Sequence, residues 1–89
     1  MAKPLGAVKA RLTGSLDEAL GAEITRLRVG RGWTQQKLSE ITGYDESYIR
    51  QLERGRKSPT VRTLGNIATA LSLRGSTVLR SAERRMDRT

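Results

Sequence analysis

Glu46, Ser47, Arg50 and Gln51 form the group of side chains best suited to direct chemistry in this sequence. On a helix whose apolar stripe is Ile49 and Leu52, all four leave that stripe, so they face away from the core. Their chemistry suits the edges of base pairs. Gln51 can make a paired contact to adenine and Arg50 to guanine, and Ser47 can meet either a base or a phosphate. Glu46 can accept from cytosine N4, or it can simply favour the positive end of the helix it opens; both readings stand. Arg54, Arg56 and Lys57 follow at once, cations suited to a sugar-phosphate backbone. Upstream, Gln35, Gln36 and Lys37 begin another helix, whose outward amides can take a phosphate.

Enzyme chemistry has little to work with. The chain of 89 residues contains no Cys and no His, which removes thiol chemistry, the usual zinc sites and the commonest general base near neutral pH. No convergent set of acid, base and nucleophile is apparent, so no enzyme, metal or cofactor is expected. The charge points elsewhere. Lys and Arg number 17 against 9 acidic residues, a net +8, and such an excess implies a polyanionic partner. No apolar run approaches the ~20 residues of a membrane span, and the N-terminus lacks the apolar core of a secretory signal. A cytoplasmic, nucleoid-associated protein is expected.

The elements that must position these groups are helical. Aliphatic residues dominate, aromatics are 3 % and Phe is absent, a composition that suits one small all-α core. Residues 1–14 carry Lys3, Lys9 and Arg11 and no acid, and read as a flexible basic arm. The spacing of Leu5, Val8 and Leu12 offers a short docked helix instead. Ser15 and Glu18 form a capping-box pattern and open the first expected helix, with Leu16, Leu20, Ile24 and Leu27 on its inner face. Gly30 and Gly32 stop it. Thr34 caps the second helix, with Leu38 and Ile41 inward, Gly43 at its end and Trp33 folded over Leu38 as a staple. Asp45 is expected to cap the third, over Glu46–Arg54. Thr60 caps the fourth, with Val61, Leu64, Ile67, Ala68 and Leu71 inward. Ser76 opens a fifth, with Val78, Leu79 and Ala82 inward. The domain is placed at 15–85, with a tail at 86–89.

The second and third helices and the tight turn Gly43-Tyr44-Asp45 make a helix-turn-helix pattern, in which the first helix braces the second in the DNA major groove. The order of signals goes further. Arg28, Gly32, Thr34, Gln35, Leu38, Ser39, Gly43, Ile49, Leu52, Glu53 and Gly55 appear at the right spacings, followed by Pro59, Thr63, Leu64, Ile67, Ala68, Ala70 and Leu71. Over about residues 16–82 the sequence resembles the Cro/phage-repressor family, the xenobiotic-response-element class of bacterial DNA-binding regulators. That resemblance implies a five-helix, lambda-repressor-like domain without catalytic activity.

It also implies residue roles. Positions 46, 47, 50 and 51 would face bases. Gln35, Gln36, Lys37, Tyr48, Arg54, Arg56 and Lys57 would approach phosphates, although Tyr48 could instead pack, and Gln35 would also brace the recognition helix. Lys37 departs from the commoner Glu, losing half a capping box and gaining a cation. Arg28 and Glu53 would pair between helices one and three as a structural ion pair. Leu73, Val78, Leu79 and Met86 would form a homodimer surface, unless some of them complete the monomer core. The implied function is that of a dimeric, sequence-specific repressor with no effector domain, on a two-fold symmetric double-stranded operator. The alternative is an antitoxin, which binds a toxin protein as well as its own promoter. A nonspecific nucleic-acid binder is disfavoured, because loose binding needs only cations.

Overall fold

A computed structural model describes the backbone of residues 5–87 and the side chains of residues 16–87. Five helices follow in order: α1 (Leu5–Gly30), α2 (Gln35–Thr42), α3 (Glu46–Glu53), α4 (Val61–Ala70) and α5 (Gly75–Asp87). There are no strands among the described residues. The apolar stripes meet in one core of Ala19, Leu20, Ile24, Leu38, Ile49, Leu52, Ile67, Ala68, Leu71, Val78 and Ala82. α1 lies against α3 and α5, α2 against α3 and α4, and α4 against α5.

α1 departs from expectation at its start. It opens at Leu5 rather than Ser15, so no helix end stands at Ser15 for a capping box to satisfy. Leu5, Val8 and Leu12 carry the four-residue stripe of Leu16, Leu20 and Ile24 backwards without a break in phase. A single Gly14 costs a helix only about 1 kcal/mol. Residues 5–14, read as an arm, are therefore continuous with the first helix, while residues 1–4 and 88–89 lie outside the described residues.

The later helix starts obey their caps more closely. Thr34 accepts a hydrogen bond from the Lys37 amide at 3.0 Å, and Thr60 accepts one from the Thr63 amide at 3.0 Å. α5 starts one residue early, at Gly75. Two expected inward residues face out instead, and a third is only partly covered. Val61 is 90 % exposed, because it is the first residue of α4 and lies beyond the turn that covers the core. Ile41 is 43 % exposed near the end of α2, and Leu79 is only half-buried beside the fully buried Val78.

Two close approaches set the distance between α1 and α3. A methyl built on Gly21 would fall 2.3 Å from the Leu52 carbonyl oxygen and 2.6 Å from that of Glu53. Gly55, which ends α3 with φ +72°, has room for no methyl either, since one would sit 2.7 Å from the Glu18 Cα. Substituting Gly21 with Ala is expected to cost about 1–3 kcal/mol by overpacking, at about 4–8 °C of Tm per kcal/mol in a domain of this size. Gly30→Ala, where nothing lies within 4 Å, should be neutral or slightly stabilising. Thermal melting of both variants checks this, and equal losses would deny the close contact.

Glu23 is a buried charge that sequence patterning did not reveal. It is 3 % exposed and accepts from Arg26 at 2.5 Å and, across the helix interface, from Arg85 of α5 at 3.0 Å. The hydrogen bonds from Arg26 and then Arg85 outweigh burial and hold its carboxyl below the ordinary 4.5. A depressed folded value contributes stability that is present above the unfolded value and lost as pH falls through the folded one. Glu23→Gln should therefore melt lower than the native chain at pH 7, by on the order of 1–3 kcal/mol. The gap should close as pH falls below about 4.5, and a gap independent of pH would argue against the charged pairing.

Candidate nucleic-acid interface

The turn between α2 and α3 is fixed by its own hydroxyls. Gly43 adopts φ +81°, a left-handed conformation that costs glycine little, and its amide donates to the Ser39 carbonyl at 2.8 Å. The Ser39 hydroxyl donates to the Tyr44 carbonyl at 2.5 Å. Thr42 Oγ1 donates to the Leu38 carbonyl at 2.8 Å and accepts from the Tyr44 amide at 3.2 Å. The Tyr44 side chain then ties the turn to α4. Its phenol oxygen accepts from Asn66 Nδ2 at 2.9 Å, and hydrogen bonds with Thr63 first and Asn66 second hold the phenol below its ordinary value.

α3 is seated by a buried carboxylate at its end. Arg28 of α1 grips Glu53 in a two-pronged pair, with Nε to Oε2 at 2.7 Å and Nη2 to Oε1 at 2.9 Å. The third arm of the guanidinium, Nη1, donates to the Trp33 carbonyl at 2.7 Å. Gln35 of α2 adds its amide to Glu53 Oε1 at 2.9 Å. The two charged side chains are 11 % and 4 % exposed, and the hydrogen bond to Glu53 raises the Arg28 value further. Gln35, expected near a phosphate, thus spends an amide proton on bracing α3. Arg31 reinforces the same corner: it donates to the Leu71 carbonyl and lies 5.5 Å over the Trp33 ring.

With Ile49 and Leu52 buried, the opposite face of α3 is polar and open. Ser47 and Gln51 are exposed, and Glu46 and Arg50 are half-exposed. Glu46 and Arg50 approach to 3.8 Å as a loose pair one helical turn apart. Asp45 has the extended backbone of a cap but makes no capping bond; its carboxylate accepts instead from the Ser47 hydroxyl at 2.8 Å. Beyond Glu53, Arg54 is the terminal cap residue rather than part of α3. Arg54, Arg56 and Lys57 are all exposed, and the Arg56 amide bonds back to the Gln51 carbonyl at 2.9 Å, holding the basic loop against the end of α3. Gln36 and Lys37 are exposed at the start of α2. Tyr48 is half-buried against the core, its ring 5.7 Å from that of Tyr44.

The expected dimer residues divide. Val78 is 1 % exposed and belongs to the monomer core, so it is not available to a partner. Its place in the core, where α5 packs against α1 and α4, accounts for this. Leu73, Leu79 and Met86 are half-buried. No cluster of three or more acidic, Cys or His side chains that could hold a metal occurs among the described residues. No helix among them is long and apolar enough to cross a membrane.

Comparison with known proteins agrees with this geometry. The helix-turn-helix family model HTH_3 matches residues 24–76, the span from the middle of α1 to the start of α5. The HTH-type transcriptional regulator SutR of Escherichia coli K12 is 40 % identical over 65 residues, 73 % of this chain but only 36 % of that protein. The transcriptional regulator ClgR of Mycobacterium tuberculosis is 37 % identical over 71 residues, 80 % of this chain and 63 % of its own length. Among solved structures, the clp gene regulator ClgR of Corynebacterium glutamicum superposes with a TM-score of 0.77 at 35 % identity, covering 81 % of this chain and 77 % of that one. The restriction-modification controller protein C.AhdI of Aeromonas hydrophila gives 0.66 at 28 % identity, covering 68 % of this chain and 92 % of that one. With its turn, its seated third helix and its ordered motif accounted for, the chain belongs to the HTH_3 helix-turn-helix family, in its Cro/phage-repressor class.

Proposed function

We propose that this chain is a sequence-specific double-stranded DNA-binding transcriptional regulator, acting as a homodimeric repressor in the cytoplasm. The observation that carries the reading is the polar outer face of α3, with Ser47 and Gln51 exposed beside Arg50, rigidly backed by the Arg28–Glu53 pair. Side chains of these types on one helix face match the donor and acceptor patterns of the major groove. Glu46, held loosely by Arg50, penalises misplaced phosphates on the same face. Arg54, Arg56 and Lys57, with Gln36, Lys37 and the N-terminal turn of α2, supply sequence-independent contacts to the backbone. Gln35 orients α3 and Tyr48 flanks the phosphates from its packed position.

One recognition helix spans only a few base pairs, so a dimer on a two-fold site supplies the remaining affinity. Leu73, Leu79 and Met86, half-buried on the α4–α5 loop and α5, are the proposed contact. The relatives' names support the regulatory role: the E. coli and mycobacterial proteins are transcriptional regulators, and the Aeromonas protein is a restriction-modification controller. Occlusion of a promoter is the simplest mechanism such a dimer has.

The test is selection from a random duplex library at about 150 mM salt, a level that suppresses loose electrostatic binding. Enrichment of a two-fold motif with half-sites about one helical turn apart is expected. No enrichment from a folded protein would favour the antitoxin reading and a search for a protein partner. On the selected site, a dimer neutralising ~6–10 phosphates should lose about 10³–10⁵ in affinity between 50 and 200 mM salt. Gln51→Ala should cost about 1–3 kcal/mol there and relax one base position, whereas Arg56→Ala should weaken all duplexes alike and flatten the salt slope. Identical behaviour of both variants on specific and random duplexes would remove the base-reading assignment.

A further inference from the structure

The hydroxyl of Ser47 is not neutral between giving and taking a proton. Its Oγ donates to Asp45 Oδ2 at 2.8 Å. A carboxylate only accepts, and a serine hydroxyl has a single proton to give. With that proton committed, Ser47 presents only lone pairs outward. Asp45 is freed for this task by the geometry at the start of α3. Its backbone has cap angles, φ −61° and ψ 140°, but its side chain bonds none of the helix amides.

In the major groove the base-edge donors are the adenine N6 and cytosine N4 amino groups. Guanine N7 and O6, adenine N7 and thymine O4 all accept. An acceptor-only Ser47 can therefore bond an amino group and nothing else on a base edge. Opposite a guanine or thymine oxygen it would leave two acceptors facing each other in a dehydrated interface, where an unmade hydrogen bond is costly. The negative charge of Asp45 adds to the same bias, attracting an amino edge and repelling a carbonyl edge.

We propose that Asp45 is a specificity-determining residue which, by holding the Ser47 proton, restricts the base that Ser47 meets to one offering an amino group, adenine or cytosine. This rests on the reading that Ser47 faces a base. Asp45 is a positioning residue: it acts through the serine and need not touch DNA.

The experiment starts from the operator selected by the native chain. Ser47→Ala in the same selection identifies the base position whose preference it levels. At that position the amino group alone is then deleted, with purine replacing adenine or pyrimidinone replacing cytosine, and binding is measured for the native chain, Ser47→Ala and Asp45→Asn. The native chain is expected to lose about fivefold, the worth of an ordinary net hydrogen bond, and Ser47→Ala to lose nothing beyond its own deficit. Asp45→Asn keeps a good capping residue, so its melting temperature should hold. Its carboxamide can donate to Ser47 and release the hydroxyl proton, so with guanine or thymine placed at that position, whose oxygens the native Ser47 cannot bond, Asp45→Asn should recover about fivefold relative to the native chain. If Asp45→Asn penalises guanine and thymine at that position as much as the native chain does, Asp45 has no part in the selection. A native chain that ignores amino deletion but weakens when the purine N7 is removed would show Ser47 donating, and would overturn the proposal. If Ser47→Ala levels no position, the base-facing reading of Ser47 fails first.

Discussion

Everything the outer face of α3 can do depends on a carboxylate at the other end of the helix. Glu53 is nearly buried and takes two hydrogen bonds from Arg28 and one from Gln35. Such a pair adds little net stability, because desolvating the charges offsets most of their attraction. Its effect is on geometry. If α3 slid or rotated, the carboxylate would stay buried and lose its donors, at about 3–5 kcal/mol, against a total stability of about 5–15 kcal/mol for a typical domain. The arrangement therefore fixes where α3 sits relative to α1 and α2 without making the domain especially stable.

The ion pair can close only because the backbones come close. Gly21 brings α1 against the carbonyls of Leu52 and Glu53, and Gly55 lets the chain leave α3 beneath Glu18. Ile49 and Leu52 then complete the seat on the apolar side, each contributing about 1.5–3 kcal/mol by burial. Packing, close approach and charge thus act on the same end and face of α3. α5 is held to α1 by a parallel device, the buried Glu23 with Arg85, so the two helices flanking α1 are each registered by one buried acid.

Sequence patterning exposed much of this and missed the rest for identifiable reasons. Thr34, Gly43 and Thr60 signal their helix ends because caps act through local backbone geometry. Apolar character places Val78 and Val61 both inward, yet one is wholly buried and the other exposed. A valine at a helix start is covered only if a neighbouring element reaches past that end, which no local pattern encodes. The start of α1 lies upstream of its cap signal because Ser15 and Glu18 form that signal inside a helix that simply continues. Nothing local marks Glu23 as buried, since its partner Arg85 lies 62 residues away. The family pattern gives Arg28 and Glu53 a structural role and Gln35 a bracing one; that Gln35 braces through Glu53, and that Arg28 reaches Trp33, needed coordinates.

The seat of α3 and its outer face share no side chains. Glu46, Ser47, Arg50 and Gln51 bond one another, Asp45 or nothing in the core, so their replacement changes what the face presents while leaving Glu53, Ile49 and Leu52 in place. Identities of 35–40 % with the relatives leave a handful of exposed positions free to differ. Shared family membership accordingly carries over the fold that seats α3, whereas what its outer face presents follows from the α3 side chains of this chain and from the direction in which their hydrogen bonds are already committed.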